Sequence, residues 1–191
     1  MRTRLAIAAV LSLLANVAGA DSPPADPGPP GALRAAFPEA AAFEPADLLL
    51  TDEMARKLDE LARTRIAERM VTFYVARGPG APDRAKGGPV LGYAVVQSHV
   101  VRTKRETLLV AFEPDGRIRR IAVLSFLEPP EYRPSDRWLA QFAGKGTGDR
   151  IAVGDDVAPI SGSTLSARGV SDQARWLLQA LRAAKEAHRL P

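Results

Sequence analysis

Six apolar residues near the end of the chain constrain its fold most. Val170, Ala174, Leu177, Leu178, Leu181 and Ala184 recur at i, i+4, i+7, i+8, i+11 and i+14. A helix puts such a set on one side, and Arg175, Gln179, Arg182 and Lys185 then fall on the other. A helix with one apolar stripe must bury it against a second layer. The middle of the chain supplies that layer. Met70 to Val75, Leu91 to Val101, Thr107 to Phe112 and Ile118 to Phe126 are β-branched and aromatic runs that read as strands. Glu113-Pro114-Asp115-Gly116 separates the last two as a hairpin turn. Thr51 starts a helix expected over residues 52–67, as N-cap ahead of the first-turn acids Asp52 and Glu53. Met54, Leu58, Leu61, Ala62 and Ile66 form its apolar side. Residues 78–89 read as a loop, Ser135-Asp136 as the start of a short helix, and Ile151 with Val153 as a short edge strand. The expected class is α+β, a mainly antiparallel sheet with flanking helices and a C-terminal amphipathic helix.

The other end of the chain has a different character. Met1-Arg2-Thr3-Arg4 is basic, Leu5 to Val17 is apolar apart from Ser12 and Asn16, and Ala18-Gly19-Ala20 is small. This order is that of a secretory signal peptide, cut after Ala20. A bilayer span needs about 20 apolar residues, so this run is short for a retained anchor, the alternative if it stays uncleaved. Residues 21–32 are rich in Pro and Gly and read as a linker, with the folded domain starting near Leu33 or Phe37. The expected location is the periplasm.

Composition closes several routes. The formal charge of +4 falls towards neutral once Arg2 and Arg4 leave, and the remaining basic residues are scattered, which argues against nucleic acid. With no cysteine, the chain has no disulfide, no thiolate-bound iron–sulfur cluster and no c-type haem attachment. His99 and His188 alone make a poor metal set, and no metal site is expected. Ser161 and Ser163 lie outside any G-x-S-x-G elbow, so no catalytic nucleophile is assigned.

One segment carries chemistry. Ser161-Gly162-Ser163-Thr164-Leu165-Ser166 directly precedes the long amphipathic pattern. A helix N-terminus offers unpaired N–H groups and a positive dipole end, a seat for phosphate. Gly162 permits close backbone approach, and the hydroxyls of Ser161, Ser163 and Ser166 can donate to phosphate oxygens. Arg168, one turn on, is placed to pair with the charge. The plainer reading is a Ser/Thr N-cap, which accounts for one or two of the four hydroxyls.

The hexamer resembles the flavinylation motif of the FMN-binding domain family, Ser/Thr-Gly-Ala/Ser-Thr-x-Ser/Thr, with Ser163 where Ala is usual. The resemblance extends over most of residues 33–191. It includes Phe37-Pro38-Glu39-Ala40, Leu91-Gly92-Tyr93-Ala94-Val95-Val96 and Thr103-Lys104-Arg105-Glu106-Thr107. It also includes Pro114-Asp115-Gly116 and Arg137-Trp138-Leu139-Ala140-Gln141-Phe142-Ala143-Gly144-Lys145. Several members have His where Arg105 stands. The resemblance implies FMN bound covalently to Thr164 through a phosphoester. Ser161, Gly162, Ser163, Leu165, Ser166, Glu128 and Tyr132 then lie around the cofactor. It implies a flavin transferase, which has its own divalent metal, as maturation partner. It implies electron transfer to redox partner proteins, as in the flavin subunits of membrane-bound sodium-pumping and ferredoxin-linked complexes. Two other readings stay open: a non-redox FMN-binding or assembly module, and an FMN-dependent reductase. Trp138 is expected in the core, and Lys104 with Glu106 as an edge-strand charge pair.

Overall fold

The computed structural model describes residues 28–80 and 87–191. The expected signal peptide, most of the linker and the middle of the 78–89 loop lie outside the described residues. The chain folds as helix α1 (Gly28–Ala36), strand β1 (Ala42–Leu49), helix α2 (Asp52–Ala62) and strands β2 (Met70–Arg77) and β3 (Val90–Val100). Strands β4 (Arg105–Phe112) and β5 (Ile118–Phe126), short helix α3 (Asp136–Leu139) and long helix α4 (Thr164–Glu186) follow. The five strands form one antiparallel sheet in the order β1-β2-β3-β4-β5, each beside its sequence neighbour. The class is α+β, as expected.

Strand alternation feeds two cores. Val71, Phe73, Val75, Tyr93, Val95, Leu108, Val110 and Phe112 point to one side, where α2 and α4 cover them. All six stripe residues of α4 are buried there. Ala76, Ala94, Leu109 and Ala111 point to the other side, where Ala32, Leu33, Ala36 and Phe37 of the α1 region cover them. Gly92 makes this second contact possible. Its φ is +150°, and a Cβ there would lie 2.2 Å from Phe112 O and 2.7 Å from the Phe37 ring.

The structure corrects several expectations. Helix α1 takes up residues 28–32 of the segment read as linker. Proline is tolerated in a first helical turn, and Ala32 and Leu33 bury. Helix α2 is capped by Thr51 as expected, whose Oγ1 accepts from Met54 N at 3.2 Å, but it ends at Ala62 rather than 67. Arg63 leaves it in the left-handed region (φ 52°), and Ile66 N donates instead to Asp59 Oδ1. Ile151 and Val153 form no strand, only a single bridge between Val153 and Val157. Ile151 is instead a fully buried plug. The opposite face of α4 is less exposed than its charges suggest. Gln179 is buried, and Arg175 donates to Ala62 O (2.8 Å) and Ile151 O (2.6 Å). Trp176, also fully buried, donates Nε1 to Asp59 Oδ1 at 2.9 Å. Helix α4 is held by the sheet, by α2 and by the loop ahead of it, so its buried arc is wide. Strand β1 is an addition to the expected elements. Its Pro45 pairs opposite Tyr74 on the sheet edge, where a missing N–H costs no ladder bond.

Candidate functional site

Three anchors set the segment that leads into α4. Asp156 closes the 151–156 loop on itself: Oδ1 accepts from Ala152 N (2.7 Å), and Oδ2 accepts from Ile151 N (3.0 Å) and Lys145 Nζ (2.9 Å). Burial alone would raise its pKa, but the Ala152 N–H, Lys145 and the Ile151 N–H outweigh burial and hold it at about 2. Ala158 is then gripped on both sides. Its N–H donates to Gln141 Oε1 and its carbonyl accepts from Trp138 Nε1, both at 2.7 Å. Trp138 is part-buried, packs on the main core and meets Phe142 edge-on.

The hexamer follows. Ser161 and Gly162 form an exposed turn, with Gly162 at φ +77° and open space where a side chain would stand. Ser163 occupies the N-cap position, yet its side chain makes no cap bond. It is buried, with Oγ at a long 3.4 Å from Glu131 O. A plain hydroxyl cap is therefore not what this Ser provides. Thr164 is the first residue of α4 and is exposed, as is Leu165, while Ser166 is buried. Gly162, Ser163, Thr164, Leu165 and Ser166 line a shallow cavity of about 180 Å³ together with Tyr132 and Arg102. The Arg102 guanidinium lies 5.1 Å from the Tyr132 ring centroid, a cation–π distance. Ser161 adjoins the cavity without lining it. Arg168 is exposed and does not line it.

Arg102 is the residue that sequence reasoning missed. It sits in the β3–β4 turn, and Glu128 holds that turn. One oxygen, Glu128 Oε1, accepts from the backbone N–H groups of Arg102 (3.2 Å), Thr103 (2.7 Å) and Lys104 (2.8 Å). The bond from Thr103, then that from Lys104, lowers the Glu128 pKa, against a smaller opposing effect of burial. Glu128 is thus not in the cavity wall; it is buried, and it fixes the turn that presents Arg102.

Behind this turn lies a second unexpected feature. Glu106 and Lys104 are not an edge-strand pair. Strand β4 is interior, Glu106 is fully buried, and its Oε2 lies 3.2 Å from Nε2 of His99, its cross-strand partner on β3. Gly169 of α4 leaves room for this imidazole: a Cβ there would stand 2.7 Å from His99 Nε2. A charged residue inside a strand reads as solvent-facing from sequence, and only the packing of α4 overturns that.

No helix of the described residues is long and apolar enough to cross a membrane. Among those residues no group of three or more His, Asp or Glu side chains is placed to hold a metal ion. Compared with known proteins, the chain matches no family model, and no curated protein matches it in sequence.

Proposed function

We propose that this chain is an exported electron-transfer protein of the FMN-binding domain type, carrying FMN on Thr164 Oγ1 through a phosphoester. One observation carries the reading. Thr164 is exposed at the start of a 23-residue helix whose N-cap side chain leaves the first-turn N–H groups without a cap. The surroundings suit a flavin phosphate. Gly162 is open to close approach, Arg102 supplies a cation on the cavity wall, and Tyr132 offers an aromatic face. The flavin supplies reversible electron uptake when bound. The α4 N-terminus and Arg102 would hold its phosphate end, with Tyr132 beside it. A cavity of about 180 Å³ would have room for the phosphate end of FMN and not for the whole cofactor.

The test is the intact mass of protein co-expressed with a flavin transferase and exported to the periplasm, followed by a peptide map. A gain of one FMN less one water on the peptide containing Thr164 is expected, and Thr164→Ala removes it while the domain stays folded. An unmodified mass, beside a modified control protein from the same cells, would overturn the proposal and favour a non-redox binding or assembly module.

A further inference from the structure

Among the described residues six large hydrophobic side chains are exposed, and four of them share one face of the sheet. Leu49 pairs with Met70 across β1 and β2, on the side opposite the buried Leu48 and Val71. Val100 pairs with Arg105 across β3 and β4, on the side opposite His99 and Glu106. Leu127, just past β5, donates its N–H to Arg105 O and so continues the same row. The four are 68%, 54%, 58% and 56% exposed. Helix α1 covers this face only at its other end, over Ala76, Ala94 and Ala111. The open half ends at the 101–104 turn, whose Arg102 lines the Thr164 cavity.

Charge accompanies these side chains. Arg102, Lys104 and Arg105 are exposed, and none forms an ion pair among the described residues. Glu128 is engaged by the turn backbone, Glu106 is buried on the other side of the sheet, and Asp47, on this face beside Leu49, accepts from Thr72 Oγ1. Four exposed apolar side chains with the two uncompensated cations Lys104 and Arg105 beside them, Arg102 being turned to the Thr164 cavity, have the anatomy of an interface for a negatively charged protein. We infer that this half-face, Leu49, Met70, Val100 and Leu127 with Lys104 and Arg105, docks a partner protein whose contact surface is apolar at its centre and acidic at its rim. A second copy suits it poorly. A two-fold contact would set the same cations against themselves. A bilayer suits it poorly as well, because none of the four exposed side chains is an aromatic of the kind that anchors at a membrane interface. The surface stands on its own residues, and only its role as the dock for electron exchange rests on the flavin reading.

The test places a photo-crosslinking amino acid at position 100 or 127 in the full chain, in the native host, with position 148 as control. These side chains are exposed, so the replacements leave the fold intact. One and the same protein crosslinked at both sites, absent at 148, with acidic residues at its mapped crosslink site, is the expected result. Lys104→Glu with Arg105→Glu lowers its yield by about tenfold or more. A crosslink to a second copy, to lipid, or to residues 1–27 of the same chain overturns the inference, as does the absence of any product. The mass measurement on Thr164 is read separately on the same purified protein, so either proposal can fail without the other.

Discussion

Replacing Asp156 by Asn removes the charge that closes the 151–156 loop. The carboxylate pKa falls from an ordinary 3.8 to about 2 in the folded protein. Each pKa unit corresponds to about 1.4 kcal/mol, so ionised Asp156 contributes about 2 kcal/mol to stability at neutral pH. The side chain is 27% exposed, which keeps solvent screening modest. The sign follows from the direction of the shift. A lowered pKa gives stability that is fully present above 3.8 and is lost as pH falls towards 2. The amide introduced by Asp156→Asn keeps one acceptor and loses the charged contact to Lys145. Urea unfolding at pH 7 should show a loss of about 2 kcal/mol, equivalent to about 4–8 °C in Tm for a domain of this size. The wild type should lose stability between about pH 4 and pH 2 more steeply than Asp156→Asn. A loss below about 0.5 kcal/mol at pH 7, or acid limbs of equal slope, would refute the assignment.

Further outcomes follow from other contacts. Glu106→Ala empties the space beside the part-buried His99 and should cost about 2 kcal/mol in denaturant unfolding; a loss under about 0.5 kcal/mol would show that the contact is dispensable. Gly92→Ala drives a methyl group into Phe112 O and Phe37 and should destabilise by about 3 kcal/mol, whereas Gly148→Ala, with open space around it, should change stability little. Lowering the pH through the depressed Glu128 pKa removes the anion from the 101–104 turn. Protection of the Thr103 and Lys104 amides, relative to the intrinsic exchange rate at each pH, should fall there and not above pH 4.5, and unchanged protection would show that the carboxylate does not hold the turn.

Helix α4 is legible in the sequence because its apolar residues repeat with the helical period, and strands β2 to β5 because they are β-branched and aromatic runs set between turn signals. The Pro114-Asp115-Gly116 turn is equally plain: Gly116 takes φ +93°. Strand β1 hides because an edge strand needs only one buried position in most of its length. Its Ala-Phe-Glu-Pro-Ala-Asp-Leu-Leu buries Leu48 alone. The hexamer and Tyr132 are visible from sequence, and residues 162–166 meet Tyr132 in one cavity. Arg102 is not, because a carboxylate 26 residues away decides where its turn sits. His99 and Glu106 are legible only as separate polar residues in strands. Their pairing depends on strand register and on the missing side chain of Gly169, neither of which local pattern reveals.

The strictly sequential strand order has a consequence for synthesis. Each hairpin of the sheet can close as soon as its second strand emerges, since no strand waits for a distant partner. The larger apolar side of that sheet waits much longer, because its principal cover is the last helix of the chain. A nascent chain halted before residue 164 would hold a paired sheet with Phe73, Val95, Val110 and Ile121 still uncovered, a species prone to aggregation and a natural client for holding chaperones. Thr164 begins the helix that ends this exposure, so the segment around it takes its final shape only when the rest of the core does.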